Sequence, residues 1–97
     1  MAYAAVIEVN NSGEDPDEGR RGLREELLPV LEAMPGFVSA HLLTAYDKGR
    51  GLAVVVFSDV AAAEQLATNV TVGQSLRDGV TVLSSDVFEV AASAHAS

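Results

Sequence analysis

The run Leu52-Ala53-Val54-Val55-Val56-Phe57 has no polar residue at either parity. Side chains alternate across a strand, so a strand with one wet face alternates apolar and polar residues. A strand that is apolar at both parities is buried on both faces. The chain has 97 residues, the length of one domain. Only two stretches of it carry a helical pattern, and two helices cover one face of a small sheet. The other face then needs a partner, most simply a second copy of the chain.

The remaining elements follow from local signals. Residues 3–10 read as a first strand, with Tyr3, Ala5, Ile7 and Val9 on one parity. Asn11-Ser12-Gly13 is a loop. Asp15 is placed to cap a helix, Pro16 to take its first position, and Glu18 to close a capping box. Leu23, Leu27, Val30, Leu31 and Met34 then form one apolar stripe. Pro29 lies inside that stripe, removes a backbone bond and kinks the helix about one turn back, near Glu25. Gly19 and Gly22 weaken the first turns, and Pro35-Gly36 ends the helix.

A second strand is predicted over 37–46 and a third over 52–57, joined by the hairpin loop Asp47-Lys48-Gly49-Arg50-Gly51. Ser58 or Asp59 caps a second helix over 60–68, whose apolar face is Val60, Ala63, Ala67 and Val70. Residues 69–79 read as irregular with a short helical turn at 74–78. Residues 80–91 read as the last strand, and 92–97 as a frayed tail. The order βαβ-βαβ describes a ferredoxin-like α+β sandwich: a four-stranded antiparallel sheet with two helices on one face. Its open apolar face is an interface or an aggregation hazard, and two such faces make a two-fold dimer.

Composition narrows the function classes. The formal charge of −8 is poorly matched to nucleic acid or anionic lipid, so neither is expected among the partners. There is no cysteine, which removes disulfides, thiolate metal sites and a cysteine nucleophile, and suits a reducing cytoplasm. No apolar stretch reaches the roughly 18–20 residues that span a bilayer. Met1-Ala2-Tyr3-Ala4-Ala5 has no basic segment of a secretory signal. A cytoplasmic location is expected. No phosphate loop, nucleophile elbow, dinucleotide fingerprint or metal-ligand spacing is present, so no cofactor and no metal are expected.

Several stretches together resemble the dimeric α/β-barrel superfamily, and within it small proteins like the antibiotic-biosynthesis monooxygenase domain. They are Met34-Pro35-Gly36-Phe37 at the helix-to-strand turn, the strand Leu52–Phe57, and the helix opening Phe57-Ser58-Asp59-Val60-Ala61-Ala62-Ala63-Glu64. Pro29 in the first helix and the closing strand from Val80 through Val90 belong to the same likeness, which spans residues 3–91. The resemblance implies a homodimer with a pocket between helices and sheet in each subunit. Relatives often carry a tryptophan at the end of the third strand, where this chain has Phe57 and no tryptophan anywhere. Some relatives use an asparagine on the first strand, and Asn10 is the candidate there. The haem-degrading branch uses a helix histidine; neither His41, on a strand, nor His95, in the tail, matches.

Six residues carry the candidate chemistry. His41 has the pKa range of a general base; the plain alternative is a histidine at a wet strand edge. Glu8 sits mid-strand and would titrate high if buried, alone or beside Glu89; the plain alternative is an ion pair with Arg50 or Arg77. Arg77 suits a substrate carboxylate or enolate; the plain alternative is a surface arginine beside Asp78. Asn10, His41 and Arg77 are thus the catalytic candidates, and Phe57, Tyr46 and Glu8 the pocket candidates. Two function classes stand. One is a cofactor-independent, monooxygenase-like enzyme acting on a small aromatic or polyketide-like substrate. The other is a non-catalytic dimeric small-molecule-binding or stress-associated protein.

Overall fold

A computed structural model describes residues 1–96. Its backbone runs β1 (Tyr3–Asn10), α1 (Pro16–Gly22), a π-helical turn (Leu23–Leu27), α2 (Leu28–Glu32) and β2 (Phe37–Ala45). A short 3-10 turn (Tyr46–Lys48), β3 (Arg50–Phe57), α3 (Val60–Asn69), β4 (Ser75–Arg77) and β5 (Val80–Glu89) follow. The strands form one antiparallel sheet in the order β2-β3-β1-β5-β4. Without β4 this is the ferredoxin-like α+β arrangement, with β1 between β3 and β5.

Local chemistry explains the helices. Asp15 Oδ2 accepts from the Glu18 backbone N–H at 3.0 Å, and Pro16 takes the first position. The capping box stays half closed, because the Glu18 carboxylate pairs instead with Arg21 at 2.6 Å. Asp59 rather than Ser58 caps α3, accepting from the Ala62 N–H at 2.9 Å. Pro29 disturbs the helix where a missing donor predicts. The turn from Leu23 to Leu27 is π-wound around Glu25, and the Leu28 N–H reaches back to the Leu23 carbonyl.

The sheet has five strands, not four. The segment expected to hold a helical turn is instead β4, and its two-residue loop Asp78-Gly79 joins Arg77 to its partner Val80. Asp-Gly is a strong hairpin signal, because its glycine takes the positive φ that such turns need. Gly79 sits at φ 82°. Its turn also lies against the Gly13 backbone so closely that no side chain fits there.

Register assigns the two faces. Ala5, Ile7, Ala53, Val55, Phe57, Ala40, Leu42 and Val87 point to the helices. Ala5, Val55, Phe57, Leu31 and Ala63 form the buried core. Ala63 is fully buried, and an alanine there lets α3 lie close to the sheet. Ser85, on the same face, donates from Oγ to the Ala67 carbonyl at 2.9 Å. The opposite parity carries Ala4, Val6, Leu52, Val54, Val56, Leu43 and Phe88 together with the polar Glu8, His41 and Asp86, and no element of the described chain packs over it. On that face Leu43 is 50% and Phe88 53% exposed. One end of it is closed by an ion pair between Glu8 and Arg50.

Among the described residues no helix is long and apolar enough to cross a membrane.

Candidate functional site

Between the helices and the sheet lies an open cavity of about 380 Å³. Its floor is the inner face of β1, β3 and β2, through Ile7, Val9, Ala53, Val55, Leu42 and Thr44. The π-helical turn supplies Leu23, Glu26 and Leu27 from above, and Leu31 follows from α2. Leu66 and Val70 close one side from the end of α3. The β4–β5 hairpin closes another with Leu76, Arg77 and Val80. Ala53 is a small residue on the cavity floor, whereas at Gly51 an added side chain would meet Val9 and Asn11 rather than open space. Such a concave, mostly apolar site with a few polar groups is the usual form of a small-molecule site.

The polar groups gather at one corner. Asn11, in the turn after β1, is 3% exposed. Its Nδ2 donates to the Arg50 carbonyl at 3.1 Å. That bond fixes which end of the amide is the donor, and the Oδ1 has no hydrogen-bond partner among the described residues. Glu14 lies beside it. Arg77 Nε donates to Glu14 Oε2 at 2.6 Å, and Tyr46 Oη donates to Glu14 Oε1 at 3.3 Å. The Arg20 guanidinium stacks over the Tyr46 ring, 5.2 Å from its centre. Burial first, and then the Glu14 carboxylate, push the Tyr46 phenol above its ordinary range.

Two helix glycines make this corner possible. A side chain at Gly19 would collide with the Tyr46 hydroxyl and the Glu14 carboxylate, and one at Gly22 with the Arg77 guanidinium. Their weak helix propensity is the counterpart of a notch that admits the three polar groups.

Of the sequence candidates, Arg77 lines the cavity. Its charge is engaged by Glu14 rather than left for a substrate anion. Tyr46 reaches the cavity corner only through Glu14. Asn10 is exposed, and its Oδ1 accepts from the Ser12 N–H and hydroxyl at 2.9 and 2.7 Å. His41 is exposed on the outer face, opposite Val54. Glu8 is also on that face, paired with Arg50 and opposite Ser84, while Glu89 lies at the far end of β5 opposite Tyr3. A shared proton between Glu8 and Glu89 is therefore ruled out by register. Phe57 is fully buried in the core and does not line the cavity. Asn11 and Glu14 were missing from the sequence candidates. The helix glycines were the available signal, because glycine in a helix marks close approach as well as weakness. Among the described residues no group of three or more His, Cys, Asp or Glu could hold a metal ion.

No protein-family model matches the chain, and no curated protein does. Among solved structures, the chain is similar to the MEC-8 C-terminal RRM domain bound to AGCACA, with 24% identity, a TM-score of 0.48 and 100% of each chain covered. That neighbour is itself bound to AGCACA, and the expectation, drawn from net charge, that nucleic acid is absent from the partners is not kept. Net charge sums over a whole surface and does not describe any one face of a sheet.

Proposed function

We propose that the chain is a homodimeric small-molecule-binding protein of the dimeric α/β-barrel kind, each subunit holding a small apolar ligand between its helices and its sheet. The observation that carries this reading is the open cavity, floored by apolar strand residues and roofed by the π-helical turn. Its walls bury apolar ligand surface, worth about 25 cal/mol per Å². The dimer rests on the second parity of the strands. Val6, Leu52, Val54, Val56, Leu43 and Phe88 present an apolar face that a second copy buries by a two-fold axis.

Binding alone is favoured over turnover by the state of the polar groups. Glu14, Arg77 and Tyr46 satisfy one another, and Asn10 and His41 lie away from the cavity. The monooxygenase-like reading draws its support from Asn11, a buried amide at the cavity wall with an acceptor to spare. It is checked by oxygen uptake with 1-naphthol in the presence of the protein.

The binding reading is tested with the neutral fluorophore N-phenyl-1-naphthylamine. Saturable fluorescence enhancement at one site per subunit is expected. Ala53→Phe, which fills the cavity from its floor, is expected to abolish it while leaving the dimer intact. Enhancement unaffected by Ala53→Phe would place the dye elsewhere and refute the cavity as the ligand site.

A further inference from the structure

We propose that two copies of the chain meet about a two-fold axis running along the strands, so that His41 of each subunit donates a hydrogen bond to the partner's Asp86. The inference rests on the paired sheets proposed above and adds their orientation and the polar contact that fixes it. On the outer face His41 is opposite Val54, Val54 opposite Val6, and Val6 opposite Asp86. One rung of the sheet therefore has an imidazole at its β2 end and a carboxylate at its β5 end. Adjacent strands lie about 4.8 Å apart, so the two ends are roughly 14 Å from each other and do not meet within one subunit. Both residues are exposed, and neither is in an ion pair among the described residues. Pairing the sheets buries both, and a buried carboxylate needs a donor.

Packed sheets keep their strands nearly aligned, which leaves two directions for the axis. An axis across the strands lays each strand on its own copy. Asp86 then faces only β5, where its outward neighbours Ser84 and Phe88 bring no cation, and through this rung it faces the partner's Asp86. Like charges so placed oppose association. An axis along the strands, midway between β1 and β3, lays each rung on its own reverse. His41 then meets the partner's Asp86, and Val54 the partner's Val6. The neighbouring rungs fit the same axis by size. In the rung Ser39-Val56-Ala4-Phe88, Phe88 lies over Ser39 and Val56 over Ala4, large against small. In the next, Leu43 lies over Ser84, while Glu8 keeps Arg50 of its own chain.

The chain has no cysteine, so introduced thiols report contact without background. Facing positions of packed sheets are about 10 Å apart, within reach of the short crosslinker bis(maleimido)ethane. His41→Cys, Asp86→Cys and the double variant are treated with it and read on denaturing gels. Covalent dimer is expected in the double variant and in a co-refolded equal mixture of the two single variants, and in neither single variant alone. A single variant that crosslinks to itself would overturn the orientation while leaving the dimer in place. A double variant that sediments as a dimer but yields no covalent dimer would overturn it as well. Because the double variant lacks the pair itself, Asp86→Asn supplies the second measurement. Its dimer dissociation constant is expected to rise at least about tenfold, the size of one hydrogen bond to a charged group. An unchanged or tighter dimer would overturn the His41–Asp86 contact. An unmutated protein that sediments as a monomer, its outer face left to another occupant such as a single-stranded nucleic acid, would overturn both the contact and the paired sheets beneath it.

Discussion

Arg77 Nε donates to Glu14 Oε2 at 2.6 Å across 63 positions of sequence. This pair joins the β4–β5 hairpin to the turn that begins α1, and with them two walls of the cavity. Glu14 is 9% exposed at its side chain and Arg77 33%, so the pair is partly shielded from water. Gly22 gives the guanidinium its place.

Removing the arginine leaves a mostly buried carboxylate without its cation. Arg77→Ala is expected to cost about 2 kcal/mol, below the range for fully buried pairs. Gly22→Ala ordinarily stabilises a helix interior by up to about 1 kcal/mol. Here that gain is expected only in the Arg77→Ala background, and to shrink or reverse when Arg77 is present. A double-mutant cycle in urea measures the coupling. Equal effects of Gly22→Ala in both backgrounds would contradict the notch.

Tyr46 gives the fold an alkaline limit. Burial and Glu14 hold the folded phenol's proton to a higher pH than in the unfolded chain, where phenols titrate near about 10. The resulting stability is fully present below about pH 10 and is lost as pH rises through the folded value. Thermal melts of the wild type are therefore expected to fall more steeply above pH 10 than those of Tyr46→Phe. Parallel curves for the two proteins would show that Tyr46 plays no part.

The hairpin turn depends on Gly79 for both conformation and space. Gly79 has φ 82° and abuts the Gly13 backbone, whereas Gly73 has φ 85° in open space. Gly73→Ala is expected to cost about 1 kcal/mol from backbone strain alone. Gly79→Ala is expected to cost at least about 2 kcal/mol, because backbone must also move. Equal losses in denaturant melts would mean that the contact with Gly13 does not matter.

Legibility in the sequence followed the range of each interaction. Asp15, Pro16 and Asp59 act on backbone groups within one turn, so the helix starts were readable from neighbours alone. Pro29 was readable for the same reason, since its missing donor perturbs the turn just before it. The β4 hairpin was readable in Asp78-Gly79 but was obscured by the polar residues around it. The cavity corner was not readable. Asn11 is defined by the carbonyl of Arg50, and Glu14 by Tyr46 and Arg77, contacts that exist only once β3 and the hairpin are in place. Asn10 and Asn11 are adjacent and chemically identical. Only the end of the β1 register decides which one faces the cavity wall.

The two parities of β3 offer the most direct measurement. Val55 is fully buried against the helices, while Val54 points to the uncovered face opposite Val6 and His41. Sedimentation equilibrium and thermal melts of Val54→Asp and Val55→Asp separate the two faces. The wild type is expected to sediment as a dimer, Val54→Asp as a folded monomer, and Val55→Asp to be unfolded or severely destabilised. A wild-type protein that sediments as a monomer, with Val54→Asp indistinguishable from it in size and melting, would contradict the paired sheets.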